Sequence, residues 1–226
     1  MKRFYASAEA RDGAILLDGR PVRTPARAPL VVPMPALAEA IATEWAAQGE
    51  TIDPRAMPLT GLANAAIDRV APDPAAFAAP LAAYSESDLL CYRADLPPAL
   101  AAAEAEAWDP LLDWARARYD VHFTVVAGVI HAPQPPATVA RLGEALRARD
   151  PFALAAMNPL VTIGGSLVVA LALAEGAIAA EPAFALTHLD ELWQAERWGE
   201  DAEATKAREA RRADFLAAAR FLALLS

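Results

Sequence analysis

From Phe152 to Ala174 the chain carries no charged residue. A run of that kind constrains the fold more than any other stretch, because ~20 consecutive apolar residues either cross a bilayer or fill a protein core. Asn158-Pro159 divides it. Pro159 suits the first turn of a helix capped by Asn158, since proline lacks the N–H that a first turn leaves unbonded. The remainder of the run, Leu160 to Ala174, has the length of a buried core helix rather than of a span. Gly164, Gly165 and Ser166 would let another helix approach closely. No stable membrane insertion is expected.

A core helix needs partners, and the sequence supplies them. Alanine inflates the 56% apolar content, and alanine favours helix. Proline, aspartate and threonine mark helix starts. The expected helices cover residues 35–48 (stripe Leu37, Ile41, Trp45; stop at Gly49), 58–70, 73–84, 97–119, 135–149, 159–174, 187–198 and 201–225. The region before Pro35 reads differently. Arg11-Asp12-Gly13 and Asp18-Gly19 are hairpin turn signals, separating expected strands at residues 2–8, 14–17 and 20–24, with a candidate fourth at 30–33. Residues 121–131 are β-branched but isolated among helices, and read as an extended connector. The expected class is α+β: a small N-terminal α/β domain of antiparallel strands plus a helix (1–52), then a larger all-α helical bundle of about seven helices (53–226).

The net charge of −9 and pI near 4.9 oppose binding to nucleic acid or anionic lipid, which demand clustered Lys and Arg. They suit a basic protein partner. Cys91 stands alone, so neither a disulfide framework nor a cysteine zinc site can be built. The N-terminus has no apolar run after its first charges and reads as neither secretory signal nor transit peptide. A bacterial cytoplasmic protein, or a mature form without its targeting segment, is expected.

No reactive set emerges. His122, His131 and His188 have no metal-ligand spacing, and His188, at a helix start, reads as structural. A lone cysteine between apolar neighbours reads as core. Gly164-Gly165-Ser166 is neither a nucleophile elbow nor a phosphate loop. No cofactor and no metal is expected. Carboxylate pairs between Asp190 and Asp201 keep open an alternative, a small-molecule enzyme using those carboxylates; a glycosidase could use such a pair, but two on one helical segment with no aromatic sugar platform support it weakly, and a solvated acidic face is the simpler account.

Residues 187–204 are the most informative for function. Thr187 with Asp190 three residues on resembles a capping box. Leu186, Leu189, Leu192 and Trp193 fall on one helical stripe, and at 100° per residue Glu196 falls inside it. Glu191, Gln194 and Trp198 lie opposite. A carboxylate on the packing face and a tryptophan on the polar face break the inside/outside rule, as functional sites do. Two readings of Glu196 stand: an ion pair with an arginine of a neighbouring helix, or contact with a partner. Acidic residues interleaved with tryptophans combine steering charge with aromatic anchors. Arg20 and Arg23, beside the second turn, either bind something acidic or guard a strand edge.

Five motifs in order, LDGRPVRTP (Leu17–Pro25), LAEAIATEWAAQGETIDPRAMPLTGLANAAIDRV (Leu37–Val70), DLLCYRA (Asp88–Ala94), WDPLLDW (Trp108–Trp114) and HLDELWQAERWGEDAEA (His188–Ala204), resemble the ATP synthase F1 assembly chaperone family that attends the alpha subunit in mitochondria and alphaproteobacteria. The resemblance implies a small α/β domain followed by a helical one. It also implies a non-enzymatic chaperone that holds unassembled F1 alpha subunit transiently, until the beta subunit replaces it; a monomer is expected. The expected partner-binding residues are Asp190, Glu191, Gln194, Glu196, Trp198, Glu200 and Asp201, with Arg20 and Arg23 as further candidates. Between residues 121 and 181 no motif carries the resemblance.

Overall fold

The computed structural model describes residues 1–225. Strands β1 (Ala8–Arg11), β2 (Ala14–Leu17) and β3 (Arg20–Pro21) form an antiparallel meander in which Arg11 faces Ala14 and Leu17 faces Arg20. Asp12-Gly13 and Asp18-Gly19 turn it, all four residues with positive φ, as a two-residue hairpin loop of the right twist requires. The first strand begins later than residues 2–8 would suggest. The Asp12-Gly13 turn fixes the register, so β1 ends at Arg11, and Lys2 makes only an isolated bridge to Thr51.

Helix α1 (Pro35–Ala46) lies on this sheet. Its Glu44 carboxylate accepts from Leu59 N (2.7 Å), Thr60 N (2.8 Å) and Thr60 Oγ1 (2.7 Å), capping α2 (Pro58–Ala65) from outside. A single π-helical turn, Ala66–Val70, extends α2. Then come α3 (Pro74–Ala82), β4 (Tyr92–Arg93), α4 (Pro98–Tyr119), β5 (Val126–Ala127), α5 (Pro136–Arg147), α6 (Pro151–Gly164), α7 (Leu167–Ala174), α8 (Ala180–Thr187), α9 (Leu189–Trp198) and α10 (Ala202–Ala223). Helices α1 to α6 each open on proline, where its fixed φ is already helical. The connector at 121–131 contributes β5, which pairs in parallel with β4.

The charge-free run is buried as two helices, broken elsewhere than expected. Asp150, not Asn158, starts the first, its Oδ1 accepting from Phe152 N (2.8 Å) and Ala153 N (3.1 Å). Pro159 sits inside α6. The break falls at Gly165 (φ 67°), and Ser166 caps α7 by accepting from Val169 N (3.1 Å). Every residue from Leu167 to Ala172 is fully buried. The buried Asp88 carboxyl accepts from Val168 N (3.0 Å) and Leu90 N (3.1 Å), so a polar group ties the loop before β4 to the N-terminus of α7. Its burial pushes the Asp88 pKa up. Among the described residues, no helix is long and apolar enough to cross a membrane.

The main core gathers Trp108, Leu112, Leu142, Leu146, Leu154, Leu160 and Phe215 around α7. A second buried cluster joins Ile15, Leu30, Leu37 and Ile41 to Leu59, Ala63, Ala156 and Phe221. Among the described residues nine α-helices come after residue 52 rather than seven, the additions being α7 and α8.

Candidate functional surface around α9

The helix expected from Thr187 is two helices. Thr187 ends α8, and its Oγ1 donates back to Phe184 O (3.0 Å). α9 starts at Leu189 with no side-chain cap, so the capping box is absent. The cause is His188, which is buried and stacked on Phe184 at 4.0 Å. Its Nδ1 reaches Phe184 O at 3.1 Å. Burial, chiefly, lowers the His188 pKa below its ordinary value. This bend also ends the helical phase that joined Leu186 to Trp193.

α9 therefore has no buried residue of its own. Glu196, expected within the packing stripe, is exposed and forms no ion pair among the described residues. Glu191 takes the structural role instead. Its carboxylate meets Arg211 Nη2 at 2.7 Å and Arg208 Nη1 at 3.3 Å, both from α10. Arg208 is 5% exposed and also holds Glu200 at 3.0 Å. One buried guanidinium thus clips both ends of α9, through its first turn and through the loop beyond its last. Gly199 ends α9 at φ 91°, a backbone that favours glycine. Asp201 caps α10 by accepting from Ala204 N (2.8 Å).

The outer side carries what these contacts leave free. Trp198 is 73% exposed. Its ring stands edge-on to Trp193 at 5.9 Å, and the Arg197 guanidinium covers Trp193 at 4.0 Å. Asp190, Gln194 and Glu196 are exposed too: Asp190 and Gln194 lie two turns and one turn back on the side of Trp198, and Glu196 lies on the other side of the helix. Asp190 also neighbours the buried Glu104 of α4. Burial, reinforced by that second carboxylate, pushes the Glu104 pKa up, while the Ala94 amide, which donates to Glu104 Oε2 at 2.7 Å, opposes the shift. Through Ala94 this patch continues toward Leu96, Val129 and Ile130, which are 77%, 97% and 83% exposed around the β4–β5 pair.

The structure thus brings Asp190, Glu191, Gln194, Glu196, Trp198, Glu200 and Asp201 to one helix and its C-terminal loop. Glu191, Glu200 and Asp201 work inward, Asp190 is exposed but meets Glu104 of α4, and Gln194, Glu196 and Trp198 face out. Arg20 and Arg23 lie exposed on β3 and just beyond it, and among the described residues neither makes a hydrogen bond or ion pair to this surface. Sequence reasoning missed Arg208, Arg211 and Glu104. A signal for Arg208 existed: it sits seven residues before Phe215 and fourteen before Leu222, on the same apolar face of α10.

Cys91 is fully buried, and burial together with the Asp88 carboxylate pushes its thiol up to about 12. It is held as a thiol, not as a nucleophilic thiolate. Glu196 is exposed to open solvent; a closed polar cavity shared with Cys91 or a histidine would have favoured the enzyme alternative.

A family model described as ATP12 chaperone protein matches residues 2–116. The chain belongs to the ATP12 chaperone family. The crystal structure of Atp12 from Paracoccus denitrificans is 48% identical and superposes with a TM-score of 0.94, covering 100% of this chain and 98% of that one. An Agrobacterium tumefaciens protein is 45% identical, with a TM-score of 0.95, over 100% of this chain and 86% of that one. Mitochondrial atp12 of Schizosaccharomyces pombe is 28% identical over 214 residues, 88% of this chain and 74% of that protein. The Paracoccus and Agrobacterium structures thus share the whole architecture, with coverage that takes in α9 and α10.

Proposed function

We propose that this ATP12-family chaperone binds the unassembled F1 alpha subunit of ATP synthase transiently and keeps it from aggregating until the beta subunit takes its place. The observation that carries the reading is α9: a helix without a buried residue, clipped from behind by Arg208 and Arg211, leaving Trp198 and the Glu196 carboxylate open to solvent. An alpha subunit lacking its neighbour exposes apolar interface, an aggregation hazard. A tryptophan among carboxylates can anchor on that interface and steer toward its basic groups. The apolar side chains of Leu96, Val129 and Ile130, reached through Ala94, Glu104 and Asp190, enlarge the surface. A role in the bacterial cytoplasm is supported by relatives from Paracoccus and Agrobacterium.

The test is refolding of isolated F1 alpha subunit with and without the protein, followed by light scattering and gel filtration. The wild type should suppress scattering, co-elute with the client, and be displaced by beta subunit. Glu196→Ala and Trp198→Ala should keep the fold by circular dichroism and weaken the complex. Glu191→Ala should weaken it by loosening α9. Unchanged client binding in both Glu196→Ala and Trp198→Ala, with the fold intact, would refute the role of this face.

A further inference from the structure

A groove of about 680 Å³ lies on the opposite part of the chain, between the N-terminal segment, the β2–β3 hairpin and α1. Its walls are apolar and aromatic: Phe4, Val22 and Trp45 line it. Tyr5 fixes one wall by donating its hydroxyl to Trp45 O at 2.7 Å. Phe4 stands edge-on to Tyr5 at 5.4 Å and remains 64% exposed. Trp45 carries a buried indole N–H with no acceptor.

The charge of this groove is opposite to that of the protein. Asp18 lines it, but its carboxylate is occupied by Ala6 N (3.0 Å), Ser7 N (2.8 Å) and Ser7 Oγ (3.1 Å). Arg20 and Arg23 line it too, and among the described residues neither forms an ion pair. Arg23 donates only to Arg27 O at 2.8 Å. On a chain of net charge −9, whose α4, α5 and α10 arginines are largely paired, two guanidinia against the single carboxylate of Asp18, which attracts Arg20 without forming an ion pair, leave a net positive site beside the exposed Phe4 and the half-buried Trp45. A guanidinium fork matches a carboxylate in a way an ammonium does not.

We infer that this groove is a second docking site, which takes an extended client segment bearing a carboxylate next to a large apolar side chain. Arg20 and Arg23 hold the carboxylate. Phe4, Val22 and Trp45 hold the apolar side chain. The inference rests on the chaperone role of the family and not on the identity of the client or on α9.

The experiment uses the full chain and three capped, fluorescein-labelled eight-residue peptides: alternating Glu and Leu, alternating Lys and Leu, and alternating Ser and Leu. Fluorescence anisotropy should show the Glu peptide binding at least ~10-fold tighter than the Lys peptide, against the net charge of the protein. R20Q/R23Q should erase the preference and R20E/R23E should invert it, with circular dichroism unchanged because both side chains are exposed. Phe4→Ser should weaken all three peptides. Equal binding of the Glu and Lys peptides, or a preference that survives R20Q/R23Q, overturns the inference. E196A/W198A separates the two surfaces: it should lower client protection and leave peptide binding intact. If the peptide preference is absent while the wild type still protects the client, the groove fails and the α9 reading stands.

Discussion

Arg208→Met tests the attachment of α9 most directly. Arg208 is 5% exposed and makes two charge-assisted contacts, to Glu191 and Glu200. Methionine keeps much of the stem and removes both. Breaking a fully buried pair by deleting one partner costs about 3–5 kcal/mol, but these carboxylates can rehydrate. The Glu191 side chain is 33% exposed and retains Arg211 at 2.7 Å, and the Glu200 side chain is 59% exposed. The remaining loss is about 1–2 kcal/mol. Because α9 buries no residue of its own, the loss falls on the docking of α9 rather than on the main core. The undocked population should rise by roughly 5–30-fold.

Native-state hydrogen exchange reads this out by region. Amides of α9 should exchange faster by that same factor, whereas those of α6 and α7 should not change. Client binding should weaken in step with the loss of protection. Unchanged protection of α9 would show that Arg208 does not hold it. Equal loss of protection in α6 and α7 would make Arg208 an element of the global core, and the local-clip argument would fail.

Buried polar groups lead to three further outcomes. Asp88→Ala strands two buried amides, Leu90 N and Val168 N, and should cost about 2–4 kcal/mol in urea unfolding; Asp88→Asn, which keeps an acceptor, should cost less. His188 has a lowered pKa, so the unfolded chain binds its proton more readily than the native one. Its contribution is complete above the ordinary histidine value near 6.5 and is lost as pH falls below it. Thermal melts of His188→Gln should accordingly lose part of the stability change that the wild type shows below that value. Cys91, held up at about 12, should resist iodoacetamide at pH 8 in the native state and react once the chain is unfolded; ready native alkylation would contradict its burial.

The elements that could be read from sequence are those fixed by local chemistry. Asp12-Gly13 and Asp18-Gly19 announce their turns because two successive residues need positive φ. Pro35, Pro58, Pro74, Pro98 and Pro136 announce helix starts for an equally local reason. Pro159 misled because a proline at a plausible first turn looks the same as one carried inside a helix; the deciding cap, Asp150, lay nine residues upstream. The bend at His188 has no glycine or proline to mark it. It exists because an imidazole stacks on Phe184 in the core, and tertiary packing of that kind leaves no local signal. The same limit separated the carboxylates. Periodicity placed Glu196 inward and Glu191 outward, whereas the arginines that decide the matter come from α10.

That reversal bears on how a chaperone surface can be held yet given up. A helix secured by a deep apolar face would be rigid, and its outward residues would have to supply the whole exchangeable contact. α9 packs only the half-buried Leu189 against the main core and is otherwise secured by Glu191 and Glu200 around Arg208 and Arg211, contacts individually worth little when they reach solvent. Trp198 and Glu196 are therefore presented on an element whose own docking is marginal. A client bound there gains from the tryptophan and the charges, and loses whatever ordering α9 requires. The two largely offset, which limits affinity without removing specificity. A competitor offering a larger, drier interface then needs only a modest advantage to displace the chaperone. Strengthening the rear attachment of α9, by replacing its ion pairs with apolar packing, should accordingly tighten client binding and slow release together.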